Sequence, residues 1–187
     1  MRFSSCCMSS SPAFTDSTAT RTVSVFLRNV TADAAVEEIC RTTGLWFRRE
    51  PDGRFHSPGA WGVKWADLVE LDYSNPELRA YMADVFLFWC RIGIDGFRCD
   101  AGYMIPAETW EYIVAKVREE YPDTVFMLEG LGGRLEVTDR LLAESNLDWA
   151  YSEIFQTYDR GQFESYLPGA IARSEKFGTL VHFAETH

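Results

Sequence analysis

Apolar residues alternate along most of the chain between helical spacing and short continuous runs. Residues 74–93, SNPELRAYMADVFLFWCRIG, place large apolar side chains three or four positions apart, as one face of a helix requires. Asn75 can cap this helix, Pro76 suits its first position and Gly93 can end it. The run IDGFRCD, residues 94–100, then predicts a strand. The apolar face of the helix is expected to consist of Leu78, Tyr81, Met82, Val85, Phe86 and Trp89.

The same alternation continues to the end of the chain. Helices are predicted at residues 106–121, 134–145 and 160–177, the last with an interruption near Pro168. The runs TVFMLE, LDWAYSEI and TLVHFAE predict three more strands. Repeated strand–helix units imply a parallel sheet covered by helices, either an open doubly wound sheet or a (β/α)₈ barrel. No glycine-rich phosphate-binding turn follows a strand, which weakens the dinucleotide-binding form of the open sheet.

The N-terminal part of the chain has a different pattern. Residues 1–30 begin with a stretch rich in Ser and Thr, lack the apolar core of a secretory signal, and are predicted to be disordered or leader-like. Residues 31–187 are predicted to form one α/β domain, which opens with a short helix at 31–44. Residues 45–75 read as a long aromatic loop, and loops of this length are usually functional or disordered.

Composition narrows the classes of function. The chain has 187 residues, enough for one sizeable domain. Its formal net charge of −10 argues against nucleic-acid binding, and no apolar run is long enough for a membrane span. Five cysteines without a recurring spacing do not suggest a disulfide framework. By default we therefore expect a soluble, cytoplasmic protein with a neutral or polar substrate.

Each predicted strand ends in a carboxylate. These residues are Asp100, Glu129, Glu153 and Glu185. In (β/α)₈ barrels the active site is built from the C-terminal ends of the strands. The pattern therefore favours the barrel and places the candidate catalytic residues at the C-terminal ends of its strands.

Arg98 and Asp100 share one face of their strand, because side chains two positions apart in a strand point the same way. Phe97 and Cys99, on the other face, are the residues able to pack against helices. A neighbouring guanidinium favours the ionised form of a carboxylate, so Asp100 is expected to be charged, as a nucleophile must be. A structural ion pair at the end of a strand explains the same spacing.

Glu129 follows four apolar residues, and apolar surroundings favour the protonated form that a proton donor needs. A polar residue at the exit of a buried strand is the alternative. Asp100 and Glu129 belong to consecutive strands, and neighbouring strands lie about 4.8 Å apart. Retaining glycosidases separate their two carboxyl groups by about 5–5.5 Å, so this pair is suited to double displacement.

The chain ends at His187, just beyond the last predicted strand. His182, Glu185 and His187 could form a metal site, but they lack HExxH spacing, and His182 falls on the opposite face of the strand. A terminal residue without a role is the simpler alternative.

Four stretches resemble glycoside hydrolase family 13, the α-amylase family. GFRCDA, residues 96–101, is similar to the motif that carries an arginine and the nucleophilic aspartate. FMLEG, residues 126–130, resembles the motif of the acid/base glutamate, and VHFAETH, residues 181–187, the motif of a sugar-binding histidine. ADLVELDYSNPELRAYM, residues 66–82, is similar to the stretch that precedes the nucleophile.

The resemblance implies a partial (β/α)₈ TIM barrel that covers roughly the fourth to seventh strands with their helices. It implies Asp100 as nucleophile, Glu129 as acid/base, and Arg98 and His187 as substrate-binding residues. The substrate would be an α-linked glucan, oligosaccharide or disaccharide, and the reaction retaining hydrolysis, as in an α-amylase or α-glucosidase, or transfer.

Three departures from the family limit this expectation. The family's first motif is not found, and about four of the eight strands are represented, so we expect a fragment that is not an efficient enzyme alone. Gly102, Tyr103 and Met104 stand where many α-amylases carry a Lys-His pair. Calcium occurs in the family, but no calcium site is readable, and no cofactor is predicted. The alternative function is a non-catalytic carbohydrate-binding or interaction remnant of the same fold, and a second alternative is an unrelated parallel α/β enzyme.

Overall fold

The computed structural model describes residues 3–6, 47–60 and 62–184, with residues 3–6 described by their backbone alone. The chain divides into two compact units, Met8–Leu78 and the combination of Met1–Cys7 with Arg79–His187. In chain order the elements are β1 (Phe3–Cys6), β2 (Gly59–Ala60), β3 (Val63–Lys64), α1 (Pro76–Ile92), β4 (Gly96–Cys99), α2 (Ala107–Glu120), β5 (Val125–Leu128), α3 (Leu135–Glu144), β6 (Trp149–Tyr151), α4 (Arg160–Phe177) and β7 (Thr179–Val181). The helix expected at 31–44 lies outside the described residues.

The aromatic segment before α1 is more ordered than the predicted loop. Strands β2 and β3 pair antiparallel, and isolated bridges join Phe47 to Leu71 and Arg49 to Phe55. The ring centroids of Phe47 and Phe55 lie 5.8 Å apart in an edge-to-face arrangement. Such cross-strand pairs fix a segment that has no helical or alternating pattern of its own.

Helix α1 begins and ends as predicted. Asn75 Oδ1 accepts the backbone N–H of Glu77 at 2.9 Å, and Gly93 ends the helix with a φ of 100°. The buried face, however, is rotated from the expected one: Tyr81 is 45% exposed, whereas Ala83, Leu87 and Cys90 are buried. Tyr81 lies at the edge of the apolar stripe, where a phenol can keep its hydroxyl in water.

Helix α4 corrects another expectation, because it runs from Arg160 to Phe177 without a break at Pro168. A proline removes one backbone hydrogen bond, here the bond to the carbonyl of Glu164. Both residues are exposed, so water can hydrate that carbonyl. The helix therefore tolerates Pro168.

Among the described residues, five parallel strands form the main sheet in the order β1-β4-β5-β6-β7. The order never reverses along the chain, whereas an open doubly wound sheet reverses at its switch point. The sheet is therefore a partial (β/α) barrel, as predicted. Within the segment expected to be disordered or leader-like, Phe3–Cys6 form a strand beside β4. The rest of residues 1–30 lies outside the described residues, and the boundary between 30 and 31 stays a prediction.

The two faces of the sheet differ in burial. Phe97 and Phe126 are fully buried on the face that meets α1, where Phe86 packs against both, with ring centroids 4.7 and 5.6 Å away. The ring of Trp110 in α2 lies 6.1 Å from that of Phe86. Phe86 therefore joins two helices to two strands. The alternate residues Arg98, Met127 and Tyr151 are only partly buried on the other face.

Replacing Phe86 by Ala should lower the free energy of unfolding by about 3–5 kcal/mol, since it leaves a cavity at the centre of this core. Urea unfolding followed by circular dichroism measures the change. Tyr81→Ala, on the same helix but 45% exposed, should cost less than about 1 kcal/mol. Equal losses from the two variants would contradict the central position of Phe86.

Candidate active site

Asp100 and Glu129 leave neighbouring strands at the same level. In the register of β4 with β5, Cys99 lies opposite Leu128. The ladder continues beyond the strands: the Glu129 N–H donates to the Cys99 carbonyl at 2.9 Å, and the Gly102 N–H donates to the Glu129 carbonyl at 3.0 Å. The two carboxylates therefore start from adjacent positions at the C-terminal edge of the sheet, about one strand spacing of ~4.8 Å apart.

Arg98 lies on the same face as Asp100, and its Nη1 donates to Asp100 Oδ1. Their side chains are 21% and 34% exposed, so the pair is partly shielded from water. Burial acts to lower the pKa of Arg98, but the hydrogen bond and charge of Asp100, with the charge of Glu129, raise it above its ordinary value. Arg98 thus stays charged and holds Asp100 in place.

Glu129 is 9% exposed, and its carboxylate accepts two backbone hydrogen bonds. The N–H of Ala101 donates to Oε2 at 2.7 Å and that of Leu131 to Oε1 at 2.9 Å. The sequence indicated apolar surroundings and gave no sign of these donors, which come from turns after two different strands. They fix the orientation of the carboxylate relative to Asp100.

The turn after Asp100 has an unusual backbone. Ala101 adopts a left-handed conformation with φ of 45° and ψ of 35°, which costs a non-glycine residue about 1–2 kcal/mol. Its N–H is the one that donates to Glu129. Gly102 follows where a Cβ atom would lie 2.4 Å from the Leu128 side chain, and its carbonyl accepts the Trp110 indole N–H at 2.9 Å. This packing against β5 and α2 sustains the strained turn.

Tyr103 is a site residue that sequence reasoning missed. Burial, followed by the charges of Glu129 and Asp100, raises the pKa of its phenol above 10.0. Its ring also lies against Gly133, where a Cβ atom would come within 3.2 Å of Tyr103 Cγ. The only sequence signal was its place three residues after Asp100, at a position where the chain departs from many α-amylases.

The last predicted strand, TLVHFAE, and His187 after it bring only His182 among their candidate site residues into the described part of the chain. Glu185 and His187 lie outside the described residues, so the sugar-binding role of His187 stays a prediction. His182 follows β7 and places Nδ1 2.7 Å from the Ser152 hydroxyl oxygen. Among residues 47–60 and 62–184, no group of three His, Cys, Asp or Glu side chains is placed to hold a metal ion. None of the helices in this part of the chain has the length and apolar character that a membrane crossing needs.

Comparison with known proteins shows the family of the chain. The family model of the α-amylase catalytic domain matches residues 62–158, just over half of the chain. The chain belongs to the α-amylase family. The match includes Arg98, Asp100 and Glu129 but stops before β7.

Relatives in this family include transferases. The chain is 29% identical over 125 residues to the α-1,4-glucan:maltose-1-phosphate maltosyltransferase of Rhodospirillum rubrum, covering 65% of this chain and 18% of that enzyme. It is 34% identical over 88 residues to the enzyme of the same name from Burkholderia pseudomallei, covering 45% and 8%. The chain thus spans less than a fifth of the length of these two enzymes.

Solved structures of the family confirm the fold. An α-amylase from Lactobacillus plantarum matches with a TM-score of 0.55 and 26% identity, over 71% of this chain and 34% of that one. Trehalose-6-phosphate hydrolase from Bacillus licheniformis matches in fold with a TM-score of 0.57 at 15% identity, over 73% and 35%. The α-amylase-type barrel fold therefore extends over most of the chain.

Titration should detect the position of Tyr103 beside the two carboxylates. Its raised pKa means that its contribution to stability is fully present below pH 10 and is lost as the pH rises through the higher folded value. Subtracting the tyrosinate absorbance of Tyr103→Phe from that of the wild type isolates the ionisation of Tyr103. This ionisation should occur above pH 10 in the folded protein and near pH 10 in urea. Ionisation of Tyr103 in the folded protein at the same pH as in urea, or at a lower pH, would contradict this placement.

Proposed function

We propose that this α-amylase family chain supplies the nucleophile Asp100 and the acid/base Glu129 of a retaining enzyme that acts on α-glucosidic bonds. The observation that carries the proposal is the in-register exit of the two residues from β4 and β5. The pairing of Arg98 with Asp100 adds to it, because a nucleophilic carboxylate must be ionised and fixed. The relatives, an α-amylase and α-1,4-glucan:maltose-1-phosphate maltosyltransferases, support the same class of bond.

In the first step a carboxylate oxygen of Asp100 attacks the anomeric carbon of the glucosyl unit. The glycosidic C–O bond breaks, and Glu129 transfers its proton to the leaving oxygen. The product is a glucosyl ester of Asp100. Each oxygen of Glu129 has a second lone pair, so the carboxyl group can carry this proton while it keeps its bonds to the Ala101 and Leu131 amides.

In the second step Glu129, now a carboxylate, takes a proton from the attacking hydroxyl. The oxygen of water or of an acceptor sugar bonds to the anomeric carbon, and Asp100 leaves as a carboxylate. Two inversions at one carbon retain the α configuration. Attack by water gives hydrolysis, and attack by a sugar hydroxyl gives transfer. The relatives include an enzyme named as an amylase and one named as a transferase.

The substrate proposed is an α-linked glucan, oligosaccharide or disaccharide. Arg98 would bind near the reacting sugar while it holds Asp100, and His187 would contact a sugar hydroxyl. Neither residue selects the type of glycosidic linkage, which depends on loops around the site. The net charge of −10 suits an uncharged substrate of this kind.

Trapping should identify the nucleophile. A fluorinated α-glucosyl fluoride forms the glycosyl ester but slows its hydrolysis, so the purified protein should gain one sugar per chain. Peptide mass spectrometry should find that sugar on Asp100, and Asp100→Asn should remain unlabelled. A label on Glu129 or Glu153 would refute the assignment of the nucleophile.

Kinetics should separate catalysis from simple sugar binding. Glu129→Gln should lower turnover of maltose-type substrates by at least about 100-fold, since a general acid contributes on the order of 10²–10⁴. Affinity for the sugar, measured by titration calorimetry, should stay within a few-fold. Sugar binding without turnover in the wild type would instead support the non-catalytic remnant.

A further inference from the structure

The carboxylate of Glu153 binds the same turn that donates a backbone hydrogen bond to Glu129. The turn is Gly130–Gly133, which follows Glu129 at the end of β5. Its Leu131 N–H donates to Glu129 Oε1 at 2.9 Å, and the next amide, that of Gly132, donates to Glu153 Oε1 at 2.6 Å. Two successive amides are therefore bound by carboxylates of residues that follow the adjacent strands β5 and β6. Hydrogen bonds from amides to charged acceptors are stronger than neutral ones.

The turn is tightly packed and has little room for other conformations. A Cβ atom at Gly130 would lie 2.7 Å from the Thr138 hydroxyl oxygen in α3. Gly132 has a φ of 71°, which few other residues adopt. The Gly133 N–H closes the turn on the Gly130 carbonyl at 3.1 Å. In a turn this constrained, a shift of the Gly132 backbone would also move Leu131, one peptide away.

Glu153 is itself held in position. Its backbone N–H donates to the Tyr166 hydroxyl of α4 at 2.8 Å. The second carboxylate oxygen, Oε2, accepts the Gln156 amide at 3.1 Å. Glu153 is half-buried, and its Oε1 binds the turn after β5 while its Oε2 binds a residue three positions further along its own segment. This arrangement is a support for the turn after β5.

We propose that Glu153 is a positioning residue for the acid/base. It anchors Gly132 so that the Leu131 N–H points at Glu129 and keeps that carboxyl group oriented toward the leaving oxygen. The kinetic consequence rests on the proposed function of Glu129, whereas the structural part can be tested without any turnover.

Amide hydrogen exchange of the 187-residue chain tests the structural part. Glu153→Ala should accelerate exchange at Gly132 by at least about ten-fold, because a hydrogen bond to a charged group is lost, and should also accelerate exchange at Leu131. Glu153→Gln, which keeps an acceptor oxygen, should largely restore both. Glu164→Ala, which removes an exposed glutamate paired with Arg160 on α4, is the matched control and should change neither. Acceleration at Gly132 with Leu131 unchanged would overturn the proposal.

Leaving-group dependence tests the kinetic part. Fluoride departs without a proton, whereas a sugar oxygen needs the acid. Glu153→Ala should therefore lower kcat/KM for maltose by roughly 10–100-fold and for α-glucosyl fluoride by less than about 3-fold. Equal losses on both substrates would show a merely structural role and overturn the proposal. A wild type without turnover on either substrate would refute the proposed function, and amide exchange would still decide whether Glu153 anchors the turn.

Discussion

The parallel pairing of β4 with β5 is the constraint on which the candidate site depends. Side chains alternate along a strand, so a shift of one residue in register would move Glu129 to the opposite face from Asp100. The fully buried aromatic residues Phe97 and Phe126 lie opposite each other in this register and both contact Phe86. Packing of these rings holds the register, and the register aligns the two carboxylates.

Charged groups at the edge of a buried sheet need compensation, and this chain provides it in two ways. Asp100 is paired with the guanidinium of Arg98 on its own strand. Glu129 has backbone amides as donors, supplied by Ala101 and Leu131. A partner on the same strand fixes Asp100 locally, whereas Glu129 depends on the conformations of two turns. The strained Ala101 and the Gly130–Gly133 turn are therefore as much part of the site as the carboxylates.

The strand and helix order could be predicted from the sequence because it follows local periodicity. Helix α1 has strong signals at both ends, and its bounds agree with the prediction. Its buried face was less well predicted, because the burial of Tyr81 and Leu87 depends on which elements pack around the helix. The interruption expected at Pro168 is absent because that part of α4 is exposed, and exposure is not a property of the sequence alone.

Within the candidate site, the sequence by itself determined where the residues proposed to carry the chemistry lie: Arg98 and Asp100 on one face of a strand, and Glu129 at the end of the next. The spacing of two residues along a strand determines whether their side chains lie on the same face, so these positions follow from local geometry. Only the tertiary structure decided what surrounds them. The Tyr103 ring against Gly133, the donors to Glu129 and the link from Glu153 to Gly132 join residues that are distant in the chain. They are brought together by the register of parallel strands and by turns whose conformations no periodic pattern encodes.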